Sequence, residues 1–359
     1  MRADDPFTAF VAHARLHGVE ACVYVSLREH NALGADAQMQ LRDAYLGALH
    51  VHMQARRALA ELHDAFDDDG IPWLVIKGAA LAHVAYSRTD LRSYTDVDVV
   101  VAPAAFPDAV RALERAGHTI LDQNWRAIRN EMNGQVHARL ATGVTIDLHW
   151  NLINHAYLRQ TFPIDTMPLL ERSRVVTVGD TPIRTLSAAD TLVHLALHTC
   201  LSGGDRLIWL KDVEQVLLHD QPAWPEAIDR AREWNAVVAL ATVLETTRST
   251  LGVAVPRDAR RALASSWWRA LVRATDRANP VEAATGAASP AQMLRRAIRG
   301  TERATVVNGA RHLYRSMRGS ARLVPSMAGN APDAPESVLY PSGDAGDRDA
   351  YLRAVAATR

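Results

Sequence analysis

Cysteine is scarce in this chain, which contains only Cys22 and Cys200 among its 359 residues. This excludes a four-cysteine zinc site, and the wide separation of the two residues disfavours a disulfide framework. The chain also lacks any run of about 18 apolar residues, so no membrane-spanning helix is expected. Its first residues lack the apolar core of a signal peptide. We therefore expect a cytoplasmic protein with no membrane partner.

No charge of either sign is in excess, because the 40 basic residues equal the 40 acidic residues in number. Without an overall field that draws the protein to anionic polymers, a nucleic-acid substrate is disfavoured. Lysine is nearly absent: only Lys77 and Lys211 accompany the arginines. Single cores stop growing at about 250 to 300 residues, so a chain of this length is expected to form more than one domain.

Apolar residues recur at helical spacing before residue 70 and again after Ser187, which can cap a helix. Between these regions, short β-branched runs alternate with helical segments, a pattern typical of a small α/β domain. We predict five regions: N-terminal helices (1–69), an α/β domain (70–186), a helical domain (187–280), a linker with an arginine-rich helical segment (281–324), and a mostly flexible tail (325–359) with a possible helix at 349–357.

Two carboxylates, Asp96 and Asp98, head the predicted strand 97–101. Residues two apart in a strand project from the same face, so both side chains reach one point. Two such anions are most easily tolerated around a hard cation, and Mg²⁺ prefers carboxylate oxygens. The alternative is a pair of strand-edge acids that face water or pair with Arg88 and Arg92.

A third carboxylate, Asp147, interrupts the apolar strand predicted over 144–150, where it shares a face with Thr145 and His149. A carboxylate on a buried strand is costly unless it is paired or bound to a metal. Placed beside the first two, Asp147 would complete a site for the metal ions that act in phosphoryl transfer. A structural salt bridge with an arginine is the alternative.

The dipeptide Lys77-Gly78 lies where the predicted strand 73–76 meets a predicted helix. Glycine at such a turn lets backbone approach a ligand, and the following helix offers unpaired N–H groups to phosphate. The segment is not a P-loop, since no Gly-Lys-Ser/Thr follows at the required spacing.

His194 and His198 are four residues apart on a predicted helix, but the Glu of a His-Glu-x-x-His zinc site is missing. We therefore interpret them as core or hydrogen-bonded histidines. The arginine-rich stretch 291–322 is interpreted as a solvated helix face, with an anionic acceptor, an acidic partner or a membrane surface as alternative ligands.

Six segments of the chain together form a specific pattern: they are Trp73-Leu-Val-Ile-Lys-Gly-Ala-Ala-Leu-Ala, Arg92-Ser-Tyr-Thr-Asp-Val-Asp-Val-Val-Val, Leu113-Glu-Arg-Ala-Gly-His, Ile146-Asp-Leu-His-Trp150, Leu195-Ala-Leu-His198 and Leu207-Ile-Trp-Leu-Lys-Asp212. In this order, they resemble the uncharacterised nucleotidyltransferase family of the polymerase β-like superfamily, over residues 8–220. The resemblance implies an α+β fold in which a small nucleotidyltransferase domain with a mixed sheet is flanked by N-terminal and C-terminal helical regions.

The resemblance further implies that Asp96, Asp98 and Asp147 are the catalytic carboxylates and bind Mg²⁺, with Mn²⁺ as the other candidate. Gly78 would lie under the triphosphate of a nucleotide, for which ATP is the first candidate. The chain departs from the superfamily at Ala79, where a serine or glycine often contacts phosphate.

The gap from Gly78 to the paired aspartates is also long, so phosphate contact would fall to Lys77 and Arg92.

We expect transfer of a nucleoside monophosphate from an NTP to a hydroxyl or phosphate of a small-molecule or protein acceptor, with release of pyrophosphate. The residues expected on the acceptor side are His149, His198, Lys211 and Asp212. The alternatives are a catalytically silent nucleotide-binding or partner-binding module of the same fold, and an unrelated metal-dependent hydrolase.

Overall fold

Seven strands form one sheet: β1 (Trp73–Ile76), β2 (Val97–Val101), β3 (Thr119–Ile120), β4 (Gln135–Arg139), β5 (Thr145–His149), β6 (Arg174–Val178) and β7 (Thr181–Thr185). Their order across the sheet is β3-β4-β5-β2-β1-β7-β6. The computed structural model describes residues 6–30, 33–281, 289–317 and 341–358. Parallel and antiparallel pairs both occur, so the predicted mixed sheet is confirmed.

Helices stand before, between and after the strands, as predicted for the α+β fold. Within the described ranges, none combines the length and the apolar character that a membrane crossing needs. The helices are α1 (Pro6–Leu16), α2 (Glu20–Leu27), α3 (Ala35–Asp67), α4 (Gly78–Val84), α5 (Phe106–Arg115), α6 (Trp125–Glu131), α7 (Ala156–Arg159), α8 (Thr166–Glu171), α9 (Ala188–Leu201), α10 (Leu207–Gln215), α11 (Trp224–Glu233), α12 (Val237–Leu251), α13 (Arg257–Leu263), α14 (Ser266–Ala278), α15 (Pro290–Arg296), α16 (Glu302–Met317) and α17 (Ala345–Ala356).

The two faces of the sheet belong to two different hydrophobic cores. Successive side chains of a strand point to opposite faces, so neighbouring valines of β2 separate. Val99 packs in one core with Phe66 of α3. Val100 packs in the other core with Leu192 of α9. Both central strands, β1 and β2, are buried along their whole length because helices cover both faces.

The face that carries Val100 also carries the polar residues of interest. In the parallel pairing of β2 with β5, Asp98 lies beside Asp147 and Val100 lies beside His149. Residues in register on neighbouring strands share a face. The fold therefore places both carboxylates and the imidazole where the sheet meets the helices that follow residue 187.

The β6–β7 hairpin was not among the strands expected from the sequence. Exposed and less exposed residues alternate along β6, as expected for a strand with one solvated face. The hairpin turns at Gly179, whose φ of 67° lies in the left-handed region that glycine tolerates best. It extends the sheet through β7, where Thr185 Oγ1 donates a hydrogen bond of 2.7 Å to the carbonyl of Val75.

The predicted tail contains a packed helix, α17, which begins at Ala345 rather than near residue 349. Tyr351 and Val355 are buried in the core that also contains Phe106. The Tyr351 hydroxyl donates to the carbonyl of Asn133 at 2.7 Å and accepts from Trp150 Nε1 at 3.0 Å. The rest of the predicted tail, apart from 341–358, lies outside the described residues.

Replacing Tyr351 should therefore destabilise the core that contains Phe106. We expect Tyr351→Ala to lower the free energy of unfolding by about 3 to 5 kcal/mol, as for other large buried side chains. Tyr351→Phe should cost about 1 kcal/mol, because only the hydroxyl hydrogen bonds are lost. Denaturant unfolding measures both changes, with the exposed Arg353→Ala as the control. Equal stability of Tyr351→Ala and Arg353→Ala would show that α17 is not part of the core.

Candidate active site

A cleft of about 620 Å³ opens above the polar face of the sheet. Its floor includes Lys77 and the three predicted carboxylates, and its walls come from the N-terminal helices and from α9 and α10. The N-terminal helices are joined to α10 by backbone, since the amide of Ile208 donates to the carbonyl of His17 at 3.1 Å. The cleft is therefore built from three regions of the chain.

Asp98 lies at the centre of the floor and is buried. Lys77 Nζ is 2.6 Å from its Oδ1, and His149 Nε2 is 3.2 Å from the same oxygen. Burial alone would raise the pKa of Asp98, but the Lys77 ammonium and His149 hold it well below its ordinary value. Asp98 is therefore ionised at neutral pH. The alternative of a surface pair with Arg88 or Arg92 is wrong for this residue, because those arginines pair with other aspartates.

Asp147 lies beside Asp98 on the neighbouring strand β5. Gln135 Nε2 donates to its Oδ2 at 3.1 Å, and His137 Nε2 lies 3.7 Å from its Oδ1. Burial and the neighbouring Asp98 charge raise the pKa of Asp147. No arginine pairs with it among the described residues, so the predicted alternative of an arginine salt bridge is not what the structure shows.

Asp96 immediately precedes β2 and also lines the cleft. Burial, together with repulsion from Asp98 and Asp147, raises its pKa to about 6. Lys77 and Arg92 act in the opposite direction but do not cancel this rise. Negative charge at the floor of the cleft therefore exceeds what the nearby cations compensate, a condition that favours binding of a further cation.

Three side chains at this floor are close enough to share one metal ion. Ligand atoms of Asp98, Asp147 and His149 all lie within 4.8 Å of one another, and Asp96 is outside that set. The buried His149 Nδ1 has no hydrogen-bond partner among the residues that the structure describes. Carboxylate oxygens suit Mg²⁺ or Mn²⁺, and an imidazole nitrogen is the softer ligand that Mn²⁺ also accepts. The donor set therefore fits a divalent cation, with His149 as a ligand candidate where an acceptor contact was predicted.

Lys77 adopts a backbone conformation that is unusual for a side-chain-bearing residue, with φ of 50°. Such strain persists only where surrounding contacts enforce it, and it concentrates at functional sites. The next residue, Gly78, has ordinary packing: an added Cβ would lie 3.4 Å from the carbonyl of Asp96 and from the ring of Tyr94, which is van der Waals contact distance. Ala79 is buried in the core on the other face of the sheet and does not line the cleft.

Arg92 and Asp212, predicted to contact phosphate and acceptor respectively, are bound to each other. Arg92 Nε and Nη2 donate to the two Asp212 oxygens at 2.7 and 2.8 Å, and the Tyr86 hydroxyl donates to Oδ1 at 2.6 Å. The side chains of Arg92 and Asp212 are only 9% and 1% exposed. This bidentate pair joins the loop before β2 to α10 and holds one side of the cleft in place.

Of the remaining predicted residues, the two histidines of α9 line the cleft and Lys211 does not. His194 and His198 line the cleft, where burial lowers the pKa of His194 to about 3 and that of His198 well below its ordinary value. Both imidazoles are therefore neutral at pH 7. His198 stands edge-on to Trp209 with ring centroids 5.5 Å apart. Lys211 does not line the cleft and pairs with Glu214 at 2.5 Å.

His137 and its partner Asp122 were not predicted as site residues. The buried Asp122 accepts from the backbone amide of His137 at 2.8 Å, and its Oδ1 lies 2.9 Å from His137 Nδ1. Burial opposes protonation, but Asp122 and then Asp147 raise the pKa of His137 to about 9. The resulting imidazolium lies between two carboxylates. Polar residues at alternate positions of β4, including Gln135, were the available sequence signal.

An α+β fold with carboxylates on adjacent strands, beside a lysine at the floor of a cleft, is what a nucleotidyltransferase requires. The sequence profile of the uncharacterised nucleotidyltransferase family matches residues 4–252, more than half of the chain. The chain belongs to this family, which confirms the resemblance read from its sequence, and it is a transferase of phosphorus-containing groups. No curated protein matches the chain.

Breaking the Arg92–Asp212 pair should destabilise the protein strongly. We expect Asp212→Ala to lower the free energy of unfolding by about 3 to 5 kcal/mol, because it leaves a buried guanidinium without its partner. The matched control is Asp229→Ala, which breaks an exposed pair with Arg232 whose side chains are 73% and 60% exposed. That change should cost about 0 to 1 kcal/mol. Chemical denaturation measures the free energy of unfolding of both variants. Equal losses of this free energy in Asp212→Ala and Asp229→Ala would contradict a structural role for Asp212.

Proposed function

We propose that this enzyme transfers a nucleoside monophosphate from an NTP to a hydroxyl or phosphate oxygen of an acceptor and releases pyrophosphate. The observation that carries the proposal is the cluster of Asp96, Asp98 and Asp147, whose charge Lys77 does not fully compensate. Clustered carboxylates that bind divalent cations are the common equipment of phosphoryl-transfer sites. Membership of a nucleotidyltransferase family implies an NTP as substrate.

Asp98, Asp147 and His149 would hold a divalent cation, with Mg²⁺ as the first candidate and Mn²⁺ as the second. Asp96, which lines the same floor, would be the third carboxylate of the site. When bound, the cation would neutralise part of the triphosphate charge. The donor chemistry supports this assignment, because hard oxygen ligands predominate.

The chain's own residues have defined tasks in this proposal. Lys77 would contact phosphate oxygens, since its ammonium lies at the floor of the cleft. The acceptor oxygen would form a bond to the α-phosphorus as the bond from that phosphorus to the bridging oxygen breaks. Asp147 would take the acceptor's proton, and pyrophosphate would carry away the electron pair of the broken bond. Arg92, fixed by Asp212, would shape the site rather than move during the reaction.

The cleft volume supports a nucleotide-sized substrate with additional room for part of an acceptor. About 620 Å³ lies within the range of about 300 to 1,000 Å³ typical of small-molecule sites. ATP remains the first candidate nucleotide. The zero net charge of the chain favours a small-molecule or protein acceptor over polymeric nucleic acid.

Metal binding can be tested without any substrate. We expect the wild type to bind Mn²⁺ and Mg²⁺ to compete for the same site. Mn²⁺ binding is measured as the loss of the free-ion signal in electron paramagnetic resonance. Asp98→Asn and Asp147→Asn should weaken Mn²⁺ binding at least about tenfold, since each removes a proposed ligand. Asp258→Asn is the control, because its side chain is 98% exposed and outside the cleft. Unchanged Mn²⁺ affinity in both cleft variants would refute the metal assignment.

Nucleotide use is tested by a thermal-shift panel of ATP, GTP, CTP and UTP, with and without Mg²⁺. At least one nucleotide should stabilise the wild type in a Mg²⁺-dependent way, because ligand binding to the folded state raises the melting temperature. Asp96→Asn should lose this response, and Asp258→Asn should keep it.

The same nucleotide should then yield pyrophosphate when acceptor candidates are supplied. Nucleotide binding with no product from any acceptor would favour the alternative of a silent binding module. Consumption of a substrate without nucleotide would instead favour a metal-dependent hydrolase. If no nucleotide stabilises the wild type, the proposed function is wrong.

A further inference from the structure

The helix α15 adds a wall to the cleft from outside the family match, which ends at residue 252. A capping box formed by Ser289 and Gln292 begins this helix. Gln292 Nε2 donates to Asp205 Oδ2 at 3.1 Å, and Arg295 pairs with Asp276. The first contact attaches α15 to the turn between α9 and α10, and the second attaches it to α14. Its last residue, Arg296, lines the same cleft as the carboxylates.

Two glycines in that turn allow the arginines of α15 to lie against the backbone. A Cβ on Gly203 would be 2.9 Å from Arg296 Nε, and a Cβ on Gly204 would be 2.6 Å from Arg295 Cδ. Both glycines have positive φ, 95° and 63°, which also disfavours other residues there. The two guanidinium groups are therefore seated on a surface that side chains would obstruct.

Arg295 and Arg296 differ in what they bind. Arg295 is buried, pairs with Asp276 and donates to the carbonyl of Gly204 at 3.2 Å, so its donors are used for structure. Arg296 has no ion-pair partner in the described part of the chain, and its buried Nε donates to no acceptor there. Leaving a charged donor desolvated and unpaired is costly. This cost is explained if a ligand supplies the missing acceptor.

A second free cation, Arg206, lies on the same helical wall. Its guanidinium is 5.7 Å from the ring centroid of Trp209, and it pairs with no carboxylate within the described ranges. The carboxylates of this wall, Glu20 and Asp205, lie within ion-pair distance of neither arginine. The cleft thus has carboxylates and Lys77 at its floor and unpaired guanidinium groups at its helical wall.

We infer that the acceptor carries an anionic group, phosphate or carboxylate, which Arg296 and Arg206 bind at the helical wall of the cleft. This inference rests on the proposed function, which assigns the floor to metal and triphosphate. Guanidinium groups recognise both anions through paired, charge-assisted hydrogen bonds. The acceptor is thereby held with its anion on the wall and its nucleophilic oxygen toward the floor.

The test measures anion binding to the full-length protein with the nucleotide site filled. Inorganic phosphate and acetate are titrated at constant ionic strength, in Mg²⁺ and a saturating non-hydrolysable analogue of the nucleotide that stabilises the wild type. We expect one or both anions to raise the melting temperature further, and the stronger of the two to identify the acceptor's group. Arg296→Gln should weaken this binding about tenfold, as expected when one charge-assisted hydrogen bond is lost.

Two further variants make the result specific. Arg206→Gln should also weaken anion binding, and its exposed position makes misfolding a poor explanation. Arg303→Gln, which removes the same charge from the exposed surface of α16, should change nothing. Nucleotide affinity should stay within about twofold of the wild type in all three variants.

Other outcomes overturn the inference in distinguishable ways. If Arg296→Gln weakens nucleotide and anion binding equally, Arg296 holds the triphosphate and the acceptor assignment is wrong. If neither anion binds beside the nucleotide analogue, the wall has no anion subsite, although the proposed function stands. If the wild type binds no nucleotide, the proposed function fails and the acceptor assignment fails with it, while phosphate binding to the free protein still reports whether the subsite exists.

Discussion

The buried carboxylate of Asp98 is the constraint on which the site depends. A carboxylate on a central strand, covered on both faces of the sheet, is tolerated only when cations or hydrogen-bond donors compensate its charge. Lys77 and His149 supply that compensation at 2.6 and 3.2 Å. Lys77 reaches Asp98 from the turn after β1, where it occupies a backbone conformation with positive φ. The residue that compensates the buried charge is thus also the residue with the unusual backbone at the strand-to-helix turn.

The charges of the neighbouring carboxylates, Asp147 and Asp96, are compensated less completely than that of Asp98, which leaves the site able to bind a cation. Asp147 and Asp96 have raised pKa values because burial and mutual repulsion outweigh the nearby cations. His137, charged through its contact with Asp122, moderates the repulsion from one side. The structure therefore keeps negative charge in a cleft, which disfavours folding but favours binding of a cation. Stabilising pairs elsewhere, such as Arg92 with Asp212, hold the surrounding walls in position.

Much of the sheet was predictable because its central strands, β1 and β2, are short, mostly apolar and β-branched runs. The strands around Val75, Val99 and Leu148 follow from β-branched composition, and alternation put Asp147 and His149 on one face. The β6–β7 hairpin was not predicted, although exposed and less exposed residues alternate along β6. Packing of α17 was not predictable, because the short apolar run around Tyr351 acquires its partners only from residues more than 200 positions away.

The sequence by itself determined the family and the α+β class, since these depend on local patterns and on a family match that spans residues 4–252. It also predicted three carboxylates as one group, and these line one cleft. Only the tertiary structure decided which charges compensate which. Arg92 and Asp212 are 120 positions apart, and nothing local shows that they bind each other rather than a substrate. Likewise, Arg295 and Arg296 are adjacent in sequence, yet one is buried against Asp276 and the other faces the cleft. Pairing of charges is set by distance in space, which sequence spacing does not report.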